Sequence, residues 1–170
     1  MHKEITQHHL KEMLQYFPET GKFVWLKKPK QAHRIQVGTE AGRTLSAGYV
    51  QIGLKGRYYL AHRLAFLYMT GAFPSMLVDH INGDPTDNRW KNLRQVSATE
   101  NSKNSAKSRA NTSGVTGVTW NTPLNKWVAS IYSKGKYQHL GCFTSLEDAT
   151  FVRKQAEIQL DFHQNHGRSK

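Results

Sequence analysis

Cysteine is nearly absent from this chain: Cys142 is the sole thiol in 170 residues. An intramolecular disulfide and a cysteine-rich zinc knuckle are both excluded. In the segment Leu140-Gly141-Cys142-Phe143 the thiol reads as a small buried core residue. Long apolar runs are also missing, and no stretch approaches the ~20 residues that a membrane span needs. The N-terminus, MHKEITQHHLKEML, lacks the apolar centre of a signal peptide. These absences point to a protein that works inside a cell with no membrane partner. Acids are scarce: 12 Asp and Glu stand against 24 Lys and Arg, giving a net charge of +12 and a pI near 9.9. The excess is spread along the chain rather than gathered in a tail, an extended footprint that favours polyanions. Nine histidines are present, but His8, His9, His163 and His166 lack regular metal-ligand spacing and read as solvated.

The most informative stretch is Leu77 to Asn104, LVDHINGDPTDNRWKNLRQVSATENSKN. A short apolar run, Met76-Leu77-Val78, reads as a strand that stops at Asp79-His80. Asn82-Gly83, Asp84-Pro85 and Asp87-Asn88 then favour tight turns. Asn92 to Val96 is strand-like again. Ser97 and Glu100 form a capping box, so a helix should begin there and carry Asn101 on its first turns. Asp79 and Asn101 offer hard oxygen donors, which suit Mg²⁺ or Mn²⁺. His80 titrates near neutrality and can take a proton from an attacking water. Asn92 could hold either the imidazole or the loop carbonyls. An EF-hand loop competes poorly, because Ile81 falls where a second oxygen ligand is required.

The pattern V-D-H-I-N-G-D-x-x-D-N-x-x-x-N-L-R-x-V-x-x-x-E-N resembles the HNH endonucleases, specifically the phage and intron-homing branch with a His-Asn-Asn motif. By position, the resemblance assigns Asp79 and Asn101 as ligands of one divalent ion and His80 as general base. It assigns Asn92 as the central structural asparagine. Arg89 and Arg94 become candidates for phosphate contact. The implied activity is hydrolysis of duplex DNA to 5′-phosphate and 3′-hydroxyl ends, in the host cytoplasm if the protein is phage-encoded.

Upstream, Thr6 to Tyr16 has helical apolar spacing, and Lys22 to Leu26 reads as a strand. Lys27-Lys28-Pro29-Lys30 with His33-Arg34 is either a solvated basic loop or a phosphate-contacting arm. Tyr49 to Leu54 and Arg57 to Leu60 form a hairpin about Lys55-Gly56. A helix follows from Ala61 to Met69, closed by Gly71. This hairpin and the H-R-L-A-F run resemble the lead-in of phage HNH proteins; His62 and Arg63 face DNA or serve packing.

Downstream, Ser102 to Gly114 is polar and basic. It could prolong the helix and then become a linker, with Lys103, Lys107 and Arg109 either contacting DNA or simply tethering. Three strands are expected near 115–120, 126–132 and 137–143. A helix opened by Ser145 should cover one sheet face with Ala149, Val152, Ala156 and Ile158-Leu160. The run G-V-T-G-V-T-W…K-W-V-A-S-I…H-L-G-C-F-x-S-x-E-D-A resembles AP2 DNA-binding domains. That resemblance puts Thr116, Thr119, Asn121, Lys126, Ser130, Tyr132 and His139 on a DNA-facing sheet surface. Thr, Asn or Tyr replace several of that family's base-reading arginines, so binding would rest on phosphate contacts, Thr methyl contacts or DNA shape.

The expected fold is α+β: a ββα-metal core behind a hairpin-rich N-terminal region, then a three-stranded antiparallel sheet with one helix. The expected divisions are 1–60, a nuclease core at 61–104, a basic linker at 105–113 and an AP2-like domain at 114–165. The chain would act as a monomer or homodimer. A DNA-binding regulator on an inactive HNH scaffold is the alternative, and an RNA-directed or structural nucleic-acid protein a third.

Overall fold

The computed structural model describes residues 5–29, 34–108 and 110–168. Lys30 and His33 of the basic loop, and Arg109, lie outside the described residues. The chain divides into two compact units, Met1–Ser97 and Ala98–Lys170.

In the first unit, helix α1 (Gln7–Met13) starts at Thr6, whose side chain accepts the His9 N–H. The helix stops at Met13, three residues before the end expected from its apolar spacing. Leu14 and Tyr16 instead alternate inward on β1 (Leu14–Phe17), opposite Trp25 and Phe23 of β2 (Lys22–Trp25). Burying these side chains against one another stabilises by roughly 1.5–3 kcal/mol apiece, which outweighs a helical extension into solvent. Strands β3 (Arg43–Thr44), β4 (Val50–Leu54) and β5 (Arg57–Leu60) make an antiparallel sheet in that order. Lys55 and Gly56, both at positive φ, form the two-residue turn between β4 and β5. Helix α2 (Ala61–Thr70) ends at Gly71. Strands β6 (Leu77–His80) and β7 (Leu93–Val96) pair antiparallel, and Asp79 and His80 are the last two residues of β6. Leu10, Leu14, Phe23, Ile52 and Leu64 are wholly buried in one core, which Leu93 joins.

The β1–β2 hairpin also buttresses the loop between β6 and β7. The Tyr16 hydroxyl donates to the Asn88 carbonyl at 2.7 Å. The Trp90 N–H donates to the Pro18 carbonyl at 2.9 Å, and the Trp90 ring meets Phe66 of α2 edge-on at 4.9 Å.

The second unit holds α3 (Ala98–Lys103), then β8 (Val118–Asn121), β9 (Lys126–Ser133) and β10 (Lys136–Phe143) in the order β10-β9-β8, then α4 (Leu146–Gln159). Helix α3 does not continue through the basic stretch. The backbone there bonds the C-terminal segment, Gly167 N–H to Ser105 C=O and Lys107 N–H to Arg168 C=O, each at 2.9 Å. Ser145 caps α4 by accepting the Glu147 and Asp148 N–H groups. Val118, Ala129 and Ala149 form the core beneath.

Three expectations fail in this unit. Cys142 is exposed, because the register of β10 shifts between His139 and Gly141. The shift turns Leu140 and Phe143 toward the core, and Cys142 faces out. Ile158 is 73% exposed, and α4 buries Arg153 and Glu157 beside Ala149 and Ala156. His166 is buried rather than solvated, 3.3 Å from the Arg153 guanidinium. Among the described residues no helix is long and apolar enough to cross a membrane.

Gly21 turns the β1–β2 hairpin at φ 74°, and a β-carbon there would collide with the backbone of Asn88 and Arg89. Gly21→Ala is therefore expected to lower stability by at least about 1–3 kcal/mol, from backbone strain alone. Urea unfolding measures this; an unchanged midpoint would mean that the hairpin does not hold the loop.

Candidate active site

The β6–β7 register sets Asp79 opposite Arg94 and His80 opposite Leu93. Asp79 is 7% exposed, and its Oδ2 accepts Nε and Nη2 of Arg94 at 3.0 and 2.8 Å. A buried carboxylate is costly without such a partner, and the guanidinium supplies both charge and hydrogen bonds.

His80 has different surroundings. Its Nε2 lies 3.2 Å from Asn88 Oδ1, and Asn88 Nδ2 donates to the Thr86 carbonyl at 3.1 Å. The Thr86 bond fixes which way the amide points. Nε2 of His80 is accordingly assigned the proton, and Nδ1 carries the basic lone pair. The imidazole also meets His62 at 5.1 Å between ring centres, nearly perpendicular, and Tyr49 at 6.1 Å. Burial pushes the His80 pKa below its ordinary value, while Asn88, Asp79, Asp84 and Asp87 pull it partly back. Burial, then His80 and Arg63, push His62 down to about 4. At pH 7 His80 is therefore neutral, the form that accepts a proton.

Asn92, at the end of a 3₁₀ turn (Trp90–Asn92), staples the loop. Its Nδ2 donates to the Asp87 carbonyl at 2.8 Å and to Asn82 Oδ1 at 3.0 Å. Its Oδ1 accepts the Asn82 N–H at 3.0 Å. Of the two tasks open to Asn92 it performs the second, holding loop carbonyls, and Asn88 holds the imidazole. Arg89 grips Asp87 through Nε at 2.8 Å and Nη2 at 2.5 Å, which holds the Asp87 carboxyl below the usual range.

Asp79, His80, Arg89, Asn92 and Arg94 thus share one hairpin and its loop, whereas Asn101 lies on α3 in the second unit. Lys103 Nζ donates to the Leu160 carbonyl at 2.6 Å, and Lys107 Nζ to that of Gly114 at 3.1 Å. Thr119, Asn121, Lys126, Ser130, Tyr132 and His139 fall on one face of the second sheet by register. Thr116 does not: its carbonyl accepts Arg153 Nε at 2.8 Å and its Oγ1 is buried.

The sequence reading gave Asn88 only a turn and Tyr49 no part in the site, and it left His62 between packing and DNA contact. His62 is 5% exposed and packed beside His80. Among the described residues no three His, Cys, Asp or Glu side chains cluster as metal ligands. The donor chemistry still fits Mg²⁺ or Mn²⁺, which bind through one or two protein oxygens and keep water or phosphate in the remaining positions.

The depressed His62 pKa links stability to pH. The unfolded chain binds a proton below about 6.5, but the folded site does so only near 4. The contribution is thus complete above pH 6.5 and lost toward pH 4, by about 3 kcal/mol at most. Unfolding free energies measured between pH 7 and 5 should fall, and His62→Phe should flatten that slope. An unaltered slope would mean that His62 titrates normally.

The HNH endonuclease family matches residues 59–103, a span that includes β6, its loop and β7. Protein 3.8 of Escherichia phage T7 is 30% identical over 86 residues, which are 50% of this chain and 71% of that protein. A solved structure of the HNH homing endonuclease I-HmuI, described for DNA binding and cleavage, is similar at 27% identity and a TM-score of 0.40. The likeness covers 54% of this chain and only 50% of that one. With 30% identity across 71% of its T7 relative, the chain belongs to the family of phage Protein 3.8, and its residues 59–103 match the HNH endonucleases.

Proposed function

We propose that the chain is a metal-dependent endonuclease that hydrolyses phosphodiester bonds of duplex DNA, a phage-type HNH homing enzyme. The observation that carries this reading is the buried, neutral imidazole of His80, oriented by Asn88 and adjacent to Asp79. It lies inside the segment matched to the HNH family.

In this reading β6 and β7 carry the strands of the ββα-metal core that the HNH resemblance implies. His80 removes a proton from the attacking water at Nδ1. Its Nε2–H bond to Asn88 keeps the ring aimed and stabilises the imidazolium that results. Asn92 fixes the loop that carries Asn88. Asp79 and Asn101 would hold one Mg²⁺ or Mn²⁺. When bound there, the ion supplies charge neutralisation at the phosphate and the 3′ oxygen. Arg94 holds the Asp79 carboxylate by two hydrogen bonds, and Arg89 holds that of Asp87; both arginines remain candidates for phosphate contact. The outer sheet face of the second unit, from Thr119 to His139, is the proposed AP2-like contact with DNA. Lys103, Lys107 and Arg109 are held as auxiliary contacts, and Thr116 supports the sheet from behind. One such site per chain gives a nick, and a homodimer would bring two sites to the duplex.

The test is incubation with supercoiled plasmid and Mg²⁺. Relaxed circles are expected from the parent protein and none in EDTA or with Asp79→Ala; linear product would indicate paired sites. His80→Ala should cut about 10²–10⁴-fold more slowly and still shift the DNA in a gel. Equal loss of cutting and binding would remove His80 as the base.

A further inference from the structure

Away from β6 and its loop, the first unit contains a concavity of about 1050 Å³. Asp79, His80, Asn92 and Arg94 do not line it, and its lining residues, from His9 to Tyr58, precede the segment matched to the HNH family. Its apolar lining comes from Met13, Trp25, Ile35 and Leu54. Its charge is almost wholly of one sign. Lys27, Lys28 and Arg34 come from the segment after β2, Arg43 from β3, and Lys55 and Arg57 from the β4–β5 hairpin. The single carboxylate among the lining residues, Glu40, is paired with Lys22 at 2.8 Å.

The outer face of the β3-β4-β5 sheet adds a stacking surface to this groove. Tyr58 is 67% exposed and sits across the ladder from Gly53, which has no side chain to cover it. The Arg43 guanidinium lies 5.5 Å from the centre of the Tyr58 ring and donates to Gln51 Oε1 at 3.2 Å. An exposed ring beside a guanidinium, within a cationic groove, suits unpaired bases: the ring stacks on the base and the cations follow the phosphates. A concavity of about 1050 Å³ is close in size to sites that enclose small ligands, roughly 300–1,000 Å³, and suits a few nucleotides of a single strand.

We infer that this groove binds a short single-stranded segment of DNA, with one base stacked on Tyr58 and the phosphates met by the surrounding Lys and Arg side chains. The inference rests on the DNA reading above but concerns a site separate from His80. It gives the chain a hold on unpaired DNA that the proposed cleavage reaction does not itself require.

The experiment is fluorescence anisotropy with a labelled oligo-dT strand, in EDTA so that cutting does not intervene. Tyr58→Ala should weaken strand binding about tenfold, the loss of one stacked base. Tyr58→Phe should restore it, which separates stacking from a folding defect. Lys55→Glu with Arg57→Glu should weaken binding at least as much. Iodouracil-substituted oligo-dT should crosslink to the peptides bearing Tyr58 or Trp25. Unchanged strand affinity in these variants, or crosslinks confined to residues 77–104 and the second unit, would overturn the inference. Plasmid nicking by the parent protein is scored in parallel. Nicking without any Tyr58 dependence of strand binding removes the groove and leaves the nuclease; Tyr58-dependent strand binding without nicking does the reverse.

Discussion

A strand of four residues has to keep a carboxylate and an imidazole out of water side by side, and most of the first unit is arranged around that demand. Asp79 and His80 are 7% and 5% exposed. Each requires its own partners, because burial without them costs several kcal/mol. The β-ladder supplies the first: Arg94 stands across from Asp79 and bonds it twice. The loop supplies the second through Asn88, and Asn92 and the β1–β2 hairpin hold that loop from either side. The N-terminal region is therefore part of the site's support.

The choice of an amide at position 88 has chemical content. A carboxylate facing Nε2 would favour the imidazolium and raise the His80 pKa, as opposite charges do. The Asn88 oxygen orients the ring without adding charge, so burial prevails and the His80 pKa stays below its ordinary value. Nearby acids work against this, and two of the three have a cation: Asp87 has Arg89 and Asp79 has Arg94, while Asp84 accepts from Thr86. The same arginines that look on sequence like phosphate clamps thus also pair acids around His80. Those two roles are compatible, since a salt-bridged guanidinium keeps donors beyond the ones it has spent.

Much of this was legible in the sequence where the signal was local. Lys55-Gly56 marked its hairpin, Gly71 ended its helix, and Ser145 capped α4, all as backbone chemistry dictates. Asp79 and His80 drew notice through residue type and spacing. What failed was non-local. Leu10, Met13 and Leu14 satisfy a helical period, and only pairing with β2 shows that Leu14 has left the helix. Asn88 reads as an ordinary turn residue, because Tyr16, which secures its carbonyl, lies 72 positions away. Cys142 was misjudged through a one-residue slip: past the shift at His139/Gly141, parity no longer identifies the buried side.

In the second unit Ala149 and Ala156 are buried as expected, but Ile158 is exposed and charged residues share the packing of α4. Arg153 passes beneath the sheet. Its Nε donates to the Thr116 carbonyl, and its Nη2 lies 3.3 Å from both Glu157 Oε1 and His166 Nε2. Gly117 sits at positive φ against Arg153 and the Ser130 carbonyl, with no room for a β-carbon. A buried ion pair of this kind seldom stabilises more than apolar packing of the same volume. Its effect is positional: one guanidinium joins the segment before β8, helix α4 and the C-terminal segment at a single point. Because α4 and these links secure one face of the sheet, Lys126, Ser130 and Tyr132 on the other are not required for its packing. Tyr132 and its cross-strand partner Tyr137 remain 66% and 64% exposed. A surface relieved of structural duty can vary with its ligand, whereas Arg153 and Gly117 cannot vary without moving the sheet.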